Sequence, residues 1–171
     1  MTTPAPATVG ETEILRHQAR LAHQVVRLNA EGVTHEESLL QPQPGGNCLN
    51  WIVGHLVAIY DRALPVLGQE PVMAAGAMER YERGSPPLRD PAGARPLEEL
   101  LAAWDEASRR ADAGLAGLTA EDLDRPAPFS PGDDPDETVR SLVATVVFHQ
   151  SYHAGQTGVL RRIGGKEGAI R

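Results

Sequence analysis

The sequence predicts an all-α protein, a four-helix bundle with up-down-down-up topology. Three observations carry that expectation. Apolar residues recur at helical spacing in four separate stretches; aromatic residues make up only 4% of the 171 residues, and β-branched runs are short; and one connection, residues 69 to 95, is long enough to cross over to a parallel neighbour. Composition built on Ala and Leu suits packed helices better than a sheet. The length suits one domain, expected over residues 11–165, with tails at 1–10 and 166–171.

The first helix is expected over about Glu11 to Asn29, where Ile14, Leu15, Gln18, Leu21, Ala22, Val25, Val26 and Leu28 form its stripe and Gly32 lies just beyond its end. His17 and His23 are about 240° apart around this helix, so they cannot both share the stripe, and with His35 they are read as facing solvent or a loop. The linker over 30–46 ends in QPQPGG, a rigid then flexible breaker, and Asn47 is the expected N-cap of the second helix, CLNWIVGHLVAIYDRALPVLG. There Ile52, His55, Leu56, Ile59 and Ala63 recur at spacings of three and four, which places His55 in mid-helix on a buried face. Pro65 should kink or end this helix, with Gly68 as its stop.

The long interruption carries Pro71, Pro86, Pro87 and Pro91, with VMAAGAMERYE as a candidate short helix inside it. The third helix begins near Pro96 and buries Leu97, Leu100, Leu101, Trp104, Ala107, Ala111, Leu115 and Leu118. After Pro126, Pro128 and Pro131, the run Asp134-Pro135-Asp136-Glu137 offers an N-cap, a proline at N1 and a glutamate at N3. The fourth helix is therefore expected over 136–163, closed by Gly164 and Gly165.

A net charge of −7 and a pI near 5.3 leave no electrostatic footprint for nucleic acid or an anionic membrane face. No apolar stretch approaches the length of a spanning helix, and the start MTTPAPATVG has neither a basic n-region nor a hydrophobic h-region, so a cytoplasmic location is expected. With Cys48 as the single cysteine, an internal disulfide and a thiolate-rich zinc site are both excluded. Any metal must rest on His, Asp or Glu.

On the fourth helix, Leu142, Val146, His149, His153, Gln156 and Leu160 fall on one stripe that is apolar at its ends and polar at its centre. His149 and His153 stand one turn apart, about 6 Å along the axis, so their ring nitrogens can meet at one ion. A third ligand must come from another helix, and His55 is the best candidate because it is the other histidine centred on an apolar stripe. Three neutral imidazoles suit zinc, nickel or iron and leave a coordination position open for water or substrate, as catalytic sites do. The competing reading is a hydrogen-bonded polar core with no metal, which requires partners for every buried ring nitrogen.

The segments Trp51-Ile52-Val53-Gly54-His55-Leu56 and HQSYHAGQ, residues 149–156, resemble the GHL and HxxxHxGQ patterns of the DinB-like, or YfiT-like, metalloenzymes, and the helical layout is similar over most of the chain. The resemblance implies that His55, His149 and His153 are the metal triad of a four-helix bundle, commonly in a homodimer. It further implies a small-molecule substrate and a low-molecular-weight thiol such as bacillithiol or mycothiol, in an S-transferase or isomerase. Metal-assisted hydrolysis and a non-catalytic metal- or ligand-binding stress-response protein are the alternatives. A divalent ion serves either enzyme, since it lowers the pKa of a bound thiol or water.

Gln156, Tyr152 and Arg161 are candidate substrate contacts. Gln156 could equally orient a ligand, and Arg161, like Arg162, already suits the last turn of a helix as a cation. Trp51 and Tyr60 either line a pocket or belong to the core. Gly54, Gly155 and Gly158 are read as sites of close packing. Cys48, in the first turn of the second helix, gains some thiolate character from the dipole but lies about 10 Å along the axis from His55, too far to share its ligand.

Overall fold

The computed structural model describes residues 10–89 and 91–170; most of the expected N-terminal tail lies outside them. Among the described residues there are six α-helices and no strand: α1 (Glu11–Ala30), α2 (His35–Ser38), α3 (Leu49–Ala63), α4 (Leu97–Gly117), α5 (Ala120–Asp124) and α6 (Val139–Ile163). The four long ones, α1, α3, α4 and α6, form the bundle.

Their directions follow from which ends meet. Arg16 reaches Asp112 at 2.9 Å and His23 reaches Asp105 at 2.8 Å, so α1 and α4 are antiparallel. Asn50 donates to the Arg95 carbonyl at 2.9 Å, and Gly114 abuts Leu67, so α3 and α4 are parallel. Gln150 donates to the Ala19 carbonyl and Asn29 to Thr157, both at 2.9 Å, so α1 and α6 are parallel too. This is up-down-down-up, and the crossover between the two descending helices is the long proline-bearing connection.

Helix ends obey local chemistry, with two departures from the sequence expectation. Cys48, not Asn47, is the N-cap of α3. On α6 the cap is Thr138, whose hydroxyl accepts from the Ser141 N–H, and the Asp134-Pro135 signal lies outside the helix. An isolated antiparallel bridge explains the later start: Ala127 N–H donates to the Glu137 carbonyl at 2.8 Å and Val139 N–H to Arg125 at 2.9 Å, which holds the chain extended until residue 138. Pro65 converts the end of α3 into a 3₁₀ turn over Leu64–Leu67, closed by Gly68 at φ 69°. The stretch VMAAGAMERYE forms only a 3₁₀ turn at Glu79–Tyr81, with Gly76 at φ 77° breaking any helix before it.

The core is centred on Trp104, Leu56, Leu100 and Leu142, each 1% exposed or less; burying each such side chain contributes roughly 1.5–3 kcal/mol. On α1 the buried stripe is Leu15, Ala19, Ala22 and Val26, whereas Ile14, Leu21 and Leu28, placed on the stripe from sequence, are about half exposed. Small residues win here because α1 packs closely on α6, where Gln150 bonds the Ala19 backbone. His23 is half-buried against Trp104 and Asp105 rather than solvated, and ties α1 to α4. The segment after α6 is tied down at its start, where Lys166 pairs with Glu37 at 3.1 Å.

Candidate metal centre

His55 from α3 and His149 and His153 from α6 converge. The Nε2 atom of His149 lies 3.2 Å from that of His55 and 3.0 Å from that of His153. Three nitrogens around a tetrahedral zinc are about 3.3 Å apart when each bond is about 2.0–2.1 Å; the two separations from His149 match that spacing, and the ligand atoms of all three lie within 4.8 Å of one another.

The outer nitrogens decide which tautomers are present. His55 Nδ1–H donates to the Tyr81 carbonyl at 2.7 Å, and His153 Nδ1–H donates to Gln156 Oε1 at 2.7 Å. Each of those rings therefore turns an Nε2 lone pair inward. A single proton on His149 Nε2 can serve only one of the two close N···N contacts; the other is left as two nitrogens in contact with no hydrogen between them, which a cation would relieve. His149 Nδ1 is buried with no hydrogen-bond partner among the described residues. The donor set thus fits a divalent ion better than a self-satisfied polar core.

Burial also keeps the imidazoles neutral. It is the largest cause of the lowered pKa at all three, and brings His149 to about 4 with the neighbouring rings of His153 and His55 adding to the effect. The Tyr81 carbonyl and Gln156 oppose this at His55 and His153 respectively. At neutral pH a metal would compete with few protons for these nitrogens.

His55 is packed and hydrogen-bonded on several sides. Trp51 stacks on it, with ring centroids 4.6 Å apart and planes 16° apart. Tyr81 is 1% exposed and its hydroxyl donates to Asn50 Oδ1 at 3.1 Å while accepting from the Arg95 N–H at 2.8 Å. Gly54 makes room for the Tyr81 ring: a Cβ there would stand 2.1 Å from Tyr81 Cδ1. Gly158 is snug, with its virtual Cβ 3.3 Å from Asn29 Nδ2, but Gly155 has nothing within 4 Å, so the close packing expected there does not occur.

A cavity of about 640 Å³ opens above the triad, lined from α3 by Trp51, Ile52 and Ile59, from α6 by Tyr152, Gln156 and Val159, and from the loops by Gly45, Gly46, Arg83 and Pro131 among others. Tyr152 and Gln156 are thus beside the triad. Arg161 is elsewhere: it donates to the carbonyls of Asn29 at 3.1 Å, Glu31 at 2.6 Å and Glu167 at 2.7 Å, closing the end of α6 onto that of α1. Tyr60 is a core residue, 3% exposed, whose hydroxyl donates to Gln150 and whose ring packs edge-on against Trp104. At Cys48, burial pushes the thiol up despite its place at a helix start. Sequence reasoning missed Tyr81 and Arg83, both in the long connection. The one available signal for Tyr81 was Gly54 beside a buried histidine.

The sequence model of the DinB superfamily matches residues 15–157. Among solved structures, the crystal structure of a conserved protein from Enterococcus faecalis has a TM-score of 0.72 at 16% identity, covering 93% of this chain and 100% of that one; at that identity it speaks for the fold alone. No curated protein sequence matches the chain. No helix among the described residues is long and apolar enough to cross a membrane.

Proposed function

The chain belongs to the DinB superfamily, and from that premise we propose that it is a metal-dependent enzyme whose His55, His149 and His153 hold one zinc, nickel or iron ion, acting as a low-molecular-weight-thiol S-transferase or isomerase on small molecules. The convergence of the three Nε2 atoms, two of them with lone pairs turned inward by the bonds of their Nδ1–H groups, is the observation that carries it. Bound there, a divalent ion would lower the pKa of a coordinated thiol or water and supply a nucleophile at neutral pH.

The chain's own residues do the rest. The Tyr81 carbonyl and Gln156 hold two of the imidazoles in the ligating tautomer. Trp51, Ile52 and Tyr152 give the cavity an apolar wall that limits water around the reacting centre. Among the described lining residues there is no Asp or Glu to pass protons to and from a hydrolytic water. This supports thiol transfer over hydrolysis, because a thiol need lose its proton only once. A cytoplasmic homodimer is part of the proposal, supported by Phe148, Tyr152, Val159 and Ile163, an exposed apolar row along one face of α6.

The test is metal content by plasma mass spectrometry on untagged protein beside His55→Ala and His149→Ala. One divalent ion per chain, lost in both variants, is the expected result; thiols such as bacillithiol and mycothiol are then screened against electrophiles. A chain that stays metal-free when offered zinc, nickel and iron would overturn the proposal.

A further inference from the structure

We propose that the cavity above the triad receives a small carboxylate with an apolar body, and that Arg83 at the rim takes its negative end. This rests on the functional reading above for the role of the cavity floor, and adds the chemical class of what enters.

The first observation is a local reversal of charge. The chain has 23 Asp and Glu against 16 Lys and Arg. Yet no carboxylate is found among the described residues lining this cavity, and Arg83 is the one Lys or Arg there. In an acidic protein that arrangement favours an anionic guest and disfavours a cationic one. The walls contributed by Ile52, Ile59 and Val159 are apolar and match a hydrocarbon body.

The second is that Arg83 is held in place from both sides. Two residues before it, the Tyr81 carbonyl accepts from His55 at 2.7 Å. Two residues after it, Ser85 Oγ accepts from the Trp51 indole at 3.0 Å and donates to the Arg80 carbonyl at 2.9 Å. The segment is therefore pinned to α3 on either side of the guanidinium, and Arg83 Cα lies within about 7 Å of Tyr81 Cα, the span of two extended residues.

The third is the unspent capacity of the side chain. Arg83 donates through Nη1 to the Pro131 carbonyl at 3.2 Å, and no carboxylate of a described residue is within ion-pair distance of it. Arg16, Arg109 and Arg110, by contrast, are each committed to an acidic partner. A guanidinium carries five N–H donors in a planar fork, so most of Arg83 remains available to a carboxylate.

Three probes of one shape separate charge from bulk: 4-phenylbutyrate, 4-phenylbutanol and 4-phenylbutylamine, titrated calorimetrically into zinc-loaded and chelator-treated protein. The carboxylate should bind at least about tenfold more tightly than the alcohol in both forms, as a charge-assisted pair requires, with the amine weakest. In Arg83→Gln the carboxylate-to-alcohol ratio should fall to near one while the alcohol is unaffected, and Arg83→Lys should keep part of it. Equal affinities in the wild type, no binding of any probe at millimolar concentration, or an unchanged ratio in Arg83→Gln each overturn the inference. A carboxylate preference that needs zinc and ignores Arg83 overturns it while leaving the metal reading intact. A chain that takes up no zinc yet shows the Arg83-dependent ratio overturns the metal reading alone.

Discussion

Replacing Gly54 with alanine should damage the centre without touching a ligand. The new Cβ would lie 2.1 Å, 2.5 Å and 2.6 Å from three carbons of the Tyr81 ring, where carbon atoms normally stay about 3.5–4.0 Å apart. The ring must therefore retreat by about 1.5 Å. It has little room to do so, being 1% exposed and tethered through its hydroxyl to Asn50 and the Arg95 N–H. Overpacking of this kind costs about 1–3 kcal/mol, and each neutral hydrogen bond lost adds roughly 1. The alanine returns about 1 kcal/mol of helix propensity, leaving a net loss of about 2 kcal/mol. Because the Tyr81 carbonyl orients His55, zinc affinity should also drop, by the roughly 10–100-fold typical of disturbed outer partners. Urea unfolding and zinc titration against a chromophoric chelator measure the two effects. Tyr81→Phe is the control: it removes the hydroxyl but keeps ring and carbonyl, so it should lose stability and retain zinc affinity. A Gly54→Ala protein with wild-type midpoint and wild-type zinc affinity would refute the reasoning.

Gly155→Ala offers the opposite case, since nothing lies within 4 Å of its virtual Cβ on α6; it should raise the urea midpoint by up to about 1 kcal/mol and leave zinc binding unchanged. Gln156→Leu removes the acceptor for His153 Nδ1–H and should weaken zinc binding about 10–100-fold in a protein that still folds, as read by the same chelator titration. In metal-free protein, burial lowers the imidazole pKa values below 6.5, His149 to about 4. The unfolded chain then takes up protons before the folded one, so the stability these residues confer is full above about pH 6.5 and is lost as pH falls through that window towards 4. For His149 the shift is worth about 3 kcal/mol at 1.36 kcal/mol per unit, reduced to about 2 by partial exposure. Urea midpoints at pH 7.5, 5.5 and 4.5 should therefore fall more steeply in the wild type than in His149→Ala, and parallel slopes would contradict the assignment.

The bundle and the His149–His153 pair were legible in the sequence because both depend on local repetition, apolar spacing giving the helices and a one-turn HxxxH interval setting two rings side by side; His55 was legible as the other histidine centred on an apolar stripe. The start of α6 was not, because a strong Asp134-Pro135 signal lost to a bridge formed with Pro126, a pairing between loop residues that no helical pattern reports. The α1 stripe was misplaced in part for a related reason. Large apolar side chains score as core, yet close approach to α6 selects Ala19 and Ala22 and turns Ile14, Leu21 and Leu28 outward. Tyr81 and Arg83 sit in the long connection, where the candidate helix VMAAGAMERYE forms only a 3₁₀ turn, and their positions are set by His55 and Trp51 reaching out to it.

The parallel pairing of α1 with α6 has a consequence for the order of assembly. Ala19 meets Gln150, and Asn29 meets Thr157, across more than 120 residues of intervening chain, so closing that pair carries the entropy of a long loop. During synthesis α1, α3 and α4 emerge with one face of the bundle open, and of the three converging histidines they carry His55 alone. The remaining two arrive together on the helix that closes the barrel of side chains. Convergence of all three imidazoles therefore reports a chain that has finished folding, and a nascent or truncated chain lacking α6 holds only one of the three.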